Sequence, residues 1–113
     1  MTATKAEHEF FDPAPLPWRP AAGYARGVWE QVIAGGTDEG VATRLLRFEA
    51  GAGNDAVVTH DFWEEIYIVS GTLECGGRPY SAGSVAVRPP GMPHGPFHSI
   101  GGCVTFEVRY RTR

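Results

Sequence analysis

The stretch "THDFWEEIYIVSG" (residues 59–71) decides the fold. It opens on a histidine and an acidic pair and runs into β-branched and aromatic residues. Alternate side chains of an extended chain share a face. Glu64, Ile66 and Ile68 then fall on one side, with Glu65, Tyr67 and Val69 on the other. His60 lies an even number of positions before Glu64, so both return to the same face. If that face lines an interior, a carboxylate sits there beside an imidazole. An unpaired buried carboxylate is costly and calls for a metal or cationic partner. Neutral imidazole with carboxylate is sound metal chemistry. The bland alternative is a surface histidine next to a solvated acidic run.

Outward from this stretch the same texture repeats. Segments 26–33, 41–49, 55–60, 64–70, 72–77, 84–88 and 102–110 are short and rich in β-branched or aromatic residues. Each is bounded by Gly, Pro, Asn or Asp, and none shows a helical period. Fifteen glycines fit many tight turns. The pattern predicts an all-β antiparallel sandwich or barrel over residues 23–113. Residues 1–22 read differently. Four prolines within "DPAPLPWRP" (12–20) predict an extended N-terminal arm. Phe10, Phe11, Leu16 and Trp18 favour docking of that arm on the barrel or on a partner subunit, at ~25 cal/mol per Å² of apolar surface.

Composition narrows the function. A chain of 113 residues suits one domain. Its net charge is −3, and its basic residues form no stripe, so a nucleic-acid partner has no support. No apolar run approaches a membrane span of roughly 20 residues. The start "MTATKAEHEFF" lacks the basic and apolar blocks of a secretory signal, so a cytoplasmic location is expected. Cys75 and Cys103 are expected as reduced thiols.

A second stretch, "GSVAVRPPGMPHGPFH" (83–98), carries two more histidines. A strand ends in Pro-Pro-Gly, and the stiff turn that follows would fix His94 in space. Together the two stretches resemble the cupin superfamily. Its first motif is G-x5-H-x-H-x(3,4)-E-x6-G, and here His60-x3-Glu64-x6-Gly71 follows the latter part. Its second motif is G-x5-P-x-G-x2-H-x3-N, and Gly83, Pro89, Gly91 and His94 stand at those spacings. The run from Arg88 to Tyr110 also looks like the zinc-bearing cupin domain of anti-sigma factors. The resemblance implies a small antiparallel double-stranded β-helix, the cupin or jelly-roll barrel.

Two departures stand out. Val58 holds the place of the first motif histidine, and His98 that of the terminal asparagine. The resemblance therefore implies one divalent metal ion on His60, Glu64 and His94, with iron, zinc, manganese and nickel all acceptable to this set. The opposing reading is a degenerate cupin with a polar, metal-free pocket. His98, Trp63 and Arg47 are candidates for substrate contact or support of the ligands. One of Arg44 and Arg47, which have opposite parity, would face inward as a carboxylate clamp.

The implied function is a metal-dependent enzyme, dioxygenase-like or an isomerase or lyase. It would act on a small oxygen-bearing molecule, with Glu64 or a bound water handling protons. The alternative is a non-catalytic sensor or ligand-binding domain. A homodimer is expected, because a small open barrel leaves strand edges that need cover.

Overall fold

The computed structural model describes residues 4–24 and 26–112. Nine strands form in chain order: β1 (Arg19–Pro20), β2 (Val28–Gly35), β3 (Ala42–Phe48), β4 (Ala52–Asn54), β5 (Trp63–Cys75), β6 (Arg78–Ser81), β7 (Val85–Arg88), β8 (Phe97–Ser99) and β9 (Cys103–Tyr110). All pairings are antiparallel. The main path runs β1-β2-β3-β9-β5-β8-β4, with β6 and β7 also on β5. The curled sheet is the cupin barrel. No helix among the described residues is long and apolar enough to cross a membrane.

β5 organises the sheet. Its inward side chains are Glu64, Ile66 and Ile68, all buried, while Tyr67 and Val69 are exposed, as the alternation predicts. The dipeptide Ser70-Gly71, read from sequence as a break between two strands, lies within one continuous strand. Gly71 has φ +79°, and a Cβ there would collide with the carbonyl oxygen of Gly102. Glycine thus lets β5 bend against β9 without stopping.

One expected strand does not form. Residues 55–60 make only an isolated bridge, Val58 with His94. The strand of this region is β4, a few residues earlier, paired with β8. Neither β4 nor β8 has the apolar alternation of a strand, so pairing rather than propensity makes them.

The apolar core fills one end of the barrel. Val28, Leu46, Phe48, Ile68, Leu73, Phe97 and Cys103 pack there. Burying each large aliphatic contributes roughly 1.5–3 kcal/mol. The other end is filled with charge. Glu30, Arg44, Glu64, Arg88 and Glu107 are all buried. Two salt bridges hold part of this set: Arg44 Nη1 lies 2.7 Å from Glu30 Oε2, and Arg44 Nη2 lies 2.9 Å from Glu107 Oε1.

β9 explains how this charge gets inside. Thr105 and Glu107 point inward and are buried, while Val104, Phe106 and Val108 on the outer face are half-buried. The usual apolar-in, polar-out order is reversed.

The N-terminal residues lie along β2. Gln31 Nε2 donates to Pro13 O at 2.9 Å and Leu16 O at 3.1 Å. Leu16 and Trp18 are half-buried, whereas Phe10 is fully exposed. Residues 1–3 of the expected arm, Ala25 and Arg113 lie outside the described residues.

Candidate metal centre

The bridge at Val58 joins the two motif stretches. Val58 N donates to His94 O at 2.8 Å, and His94 N to Val58 O at 2.9 Å. Gly91 N adds a bond to His60 O at 2.9 Å. The position that holds no ligand side chain still works through its backbone, tying His94 beside the chain that carries His60. Gly91, with φ +81°, supplies the turn.

His60, Glu64 and His94 converge, each offering one ligand atom within 4.8 Å of the others. His60 Nε2 and His94 Nε2 each lie 3.8 Å from Glu64 Oε1. Both rings are oriented from behind. His60 Nδ1 faces Phe62 O at 3.2 Å, and His94 Nδ1 faces Met92 O at 2.9 Å. A carbonyl only accepts, so each Nδ1 carries the proton and donates. In its neutral form each ring then presents a lone pair at Nε2 toward Glu64. Phe62 stacks on the His60 ring with centroids 3.8 Å apart.

Two lone pairs and a carboxylate oxygen facing one another repel unless a cation stands between them. His60 Nε2 is the one buried side-chain polar atom without a hydrogen-bond partner among the described residues. A buried nitrogen of this kind calls for a partner, an ion or a water, in the space it faces. The residues fit a metal ion by donor type, tautomer and direction.

Glu64 has a second set of partners. Arg88 Nη1 donates to Oε1 at 2.9 Å, and Arg109 Nε donates to Oε2 at 2.8 Å. Burial pushes the Glu64 carboxyl up, but Arg109 and Arg88 overcome it and hold the group below the usual carboxylate range. Burial likewise pushes the His94 imidazole down, keeping it neutral. The cationic partner foreseen for Glu64 is thus already supplied by two arginines.

Arg88 and Arg109 were not among the residues singled out from sequence. The available signal was parity: Thr105, Glu107 and Arg109 alternate along β9, and Arg88 pairs directly with Glu64 in register. A polar alternating face reads as outward by habit, which hid them.

The remaining candidates do not join the group. Arg47 is exposed, its guanidinium 4.9 Å from the Trp18 ring centroid. The inward arginine of β3 is Arg44. Trp63 has the opposite parity to Glu64 and stacks on Tyr110 with centroids 6.1 Å apart. His98 Nε2 lies 2.9 Å from Asp55 Oδ1, and its side chain is 40% exposed. Asp61 is exposed and bound by Arg111. None of these lines the cavity at His60, Glu64 and His94, which has a volume of about 130 Å³ and includes Tyr24, Asn54 and Glu107 in its wall.

Comparison with known proteins agrees with this architecture. No curated protein matches the sequence. Among solved structures, an RmlC-like cupin from Shewanella frigidimarina has a TM-score of 0.74 at 20% identity, covering 97% of this chain and 96% of that one. An acetylacetone dioxygenase from Acinetobacter johnsonii has a TM-score of 0.73 at 15% identity, covering 97% and 77%. The anti-sigma factor ChrR of Rhodobacter sphaeroides, in its complex with SigE, has a TM-score of 0.65 at 20% identity. It is covered over 49% of its length, by 85% of this chain. The sequence itself matches the ChrR cupin-like domain family over residues 6–111. With nearly its whole length inside that match, and with the cupin barrel to go with it, the chain belongs to the ChrR cupin-like domain family.

Proposed function

We propose that this chain is a metal-dependent cupin enzyme acting on a small oxygen-bearing molecule. One divalent ion would be held by His60 Nε2, His94 Nε2 and Glu64. The observation that carries this reading is the pair of bare Nε2 atoms aimed at one carboxylate oxygen, one of them buried without a partner. Two histidines and one carboxylate leave coordination positions open. A bound ion would supply Lewis-acid or redox chemistry to a substrate oxygen.

The chain's own residues orient and enclose. Phe62 and the carbonyls of residues 62 and 92 fix the imidazoles. Arg88 and Arg109 keep Glu64 ionised, which makes it a weak base. Its work is then to place charge rather than to accept a proton. A cavity of about 130 Å³ falls below the roughly 300 Å³ of drug-sized pockets, so the reacting part of the substrate is small.

A second reading is a non-catalytic sensor in the cytoplasm. It is favoured by Glu64 having both oxygens engaged by arginine, so that its carboxylate already has cationic partners in the metal-free state. A homodimer goes with either reading, supported by the exposed Phe10 and the apolar outer face of β5 and β7.

Elemental analysis of protein from its native host tests the ion: close to one divalent metal per chain is expected, and His60→Ala and His94→Ala should each lose it. Protein without metal, whose melting temperature ignores added zinc and iron(II), would refute the proposal. Oxygen uptake by the iron(II) form with a small β-diketone, such as the acetylacetone of the Acinetobacter neighbour's name, separates dioxygenase from sensor.

A further inference from the structure

The cavity at His60, Glu64 and His94 adjoins a larger one of about 390 Å³. The two share Ile66, Leu73, Arg88 and His94 in their walls. The larger is apolar, with Ile68, Tyr80 and Met92 among its lining, and Arg88 is its one charged lining residue. Arg88 therefore stands between them. Its Nη1 donates to Glu64 in the small cavity at 2.9 Å, while Nη2 reaches Cys75 Sγ at 3.8 Å in the wall of the large one. A thiol sulfur is a weak acceptor. Half of the guanidinium fork is thus poorly used on the side of the larger cavity.

Charge balance sets what this fork would take. Three inward carboxylates (Glu30, Glu64, Glu107) face three inward arginines (Arg44, Arg88, Arg109), with the exposed Arg19 reaching Glu30 from outside. The inward set is neutral as it stands. A divalent ion on Glu64 adds positive charge that nothing in the barrel offsets, and uncompensated charge in a low-dielectric interior is costly. The ion would also compete with Arg88, because Oε1 is both the oxygen nearest the two imidazoles and the one Arg88 holds. Metal uptake then frees an Arg88 donor at the moment the site becomes cationic.

Resting on the metal reading above, we propose that Arg88 determines specificity for a small carboxylic acid with an apolar body. The carboxylate sits against Arg88 and the ion, and the body fills the larger cavity. A carboxylate matches the guanidinium fork in a way that a neutral amide does not.

Calorimetry on the full chain tests this with zinc, benzoate, benzamide and acetate as probes. Zinc is titrated first, and absence of zinc binding sinks the metal reading itself. With zinc bound, benzoate is expected to bind about tenfold or more tighter than benzamide, and tighter than acetate. Without zinc, benzoate binding is expected to fall by a similar factor, since Arg88 stays on Glu64. Arg88→Gln should still bind zinc and lose the preference for benzoate over benzamide. Equal binding of benzoate and benzamide to the zinc form, or equal benzoate binding with and without zinc, overturns the proposal while leaving the metal site intact. A preference retained in Arg88→Gln does the same, and acetate binding as well as benzoate removes the larger cavity from it. The wild-type comparisons do not depend on the variant folding.

Discussion

Two groups of buried charge share the barrel and differ in one respect. The first joins Arg44 to Glu30 and Glu107, with Arg19 and Thr105 completing the hydrogen bonds. The second joins Glu64 to Arg88 and Arg109, with His60 and His94 facing the same carboxylate. In the first group the charged atoms find one another, and the cluster is closed. In the second, two imidazole nitrogens are left pointing at an oxygen that already has its partners. Buried charge is therefore not the mark of a site in this protein. An unmet donor set beside a cavity is.

The largest effect is expected where the closed group is broken. Arg44→Ala leaves two carboxylates buried without their shared cation, and a loss of about 3–5 kcal/mol in urea unfolding is expected. A loss below ~1 kcal/mol would mean that water reaches Glu30 and Glu107, and the contrast between the groups would dissolve. The open group should respond to metal instead. Zinc at a hundredfold excess over its dissociation constant raises stability by about 2.7 kcal/mol. Thermal unfolding should show that gain in the wild type and lose it in His60→Ala, while Arg44→Met, if folded, keeps it.

Acid should weaken both groups. Burial opposes ionisation of Glu30 and Glu64, but their arginines hold each below the ordinary 4.5. Their contribution is present above that value and is lost as pH falls through the lowered native values. His94 acts earlier. Burial lowers it below 6.5, so the unfolded chain takes up its proton first, and stability declines as pH drops below 6.5. Urea midpoints that stay flat from pH 7 to 5 would contradict the neutral His94. The smallest effect belongs outside. Arg47→Ala loses an exposed cation–π contact with Trp18, about 0.5–1 kcal/mol at most, and leaves metal uptake unchanged.

Much of this was legible in the letters. The alternation put Glu64, Ile66 and Ile68 on one face, and the resemblance to the two cupin motifs named His60 and His94 as the carboxylate's neighbours. What the letters hid follows from the same rule of alternation. In β9 the polar residues Thr105 and Glu107 go inward and Phe106 outward, because Arg44 across the sheet pairs with Glu107 in register and supplies its counter-charge. Alternation tells which residues share a face, and only pairing tells which face is inside. The partners of Glu64 were missed for that reason. β4 and β8 escaped because three-residue strands take their form from each other. Arg44 rather than Arg47 points inward because parity on β3 is set by Leu46 and Phe48 in the core.

The length of β5 has a consequence in time. Its residues Glu64–Tyr67 are paired on both edges, by β9 and β7, and Glu74–Cys75 likewise, by β6 and β8. Amides caged in this way give up their protons to deuterium only when the whole barrel opens. The strand that carries Glu64 is therefore, with β3 and β9, among the molecule's slow clocks. The loop holding His94 ticks faster, and exchange at the two would report separately on the barrel and on the mouth of the site.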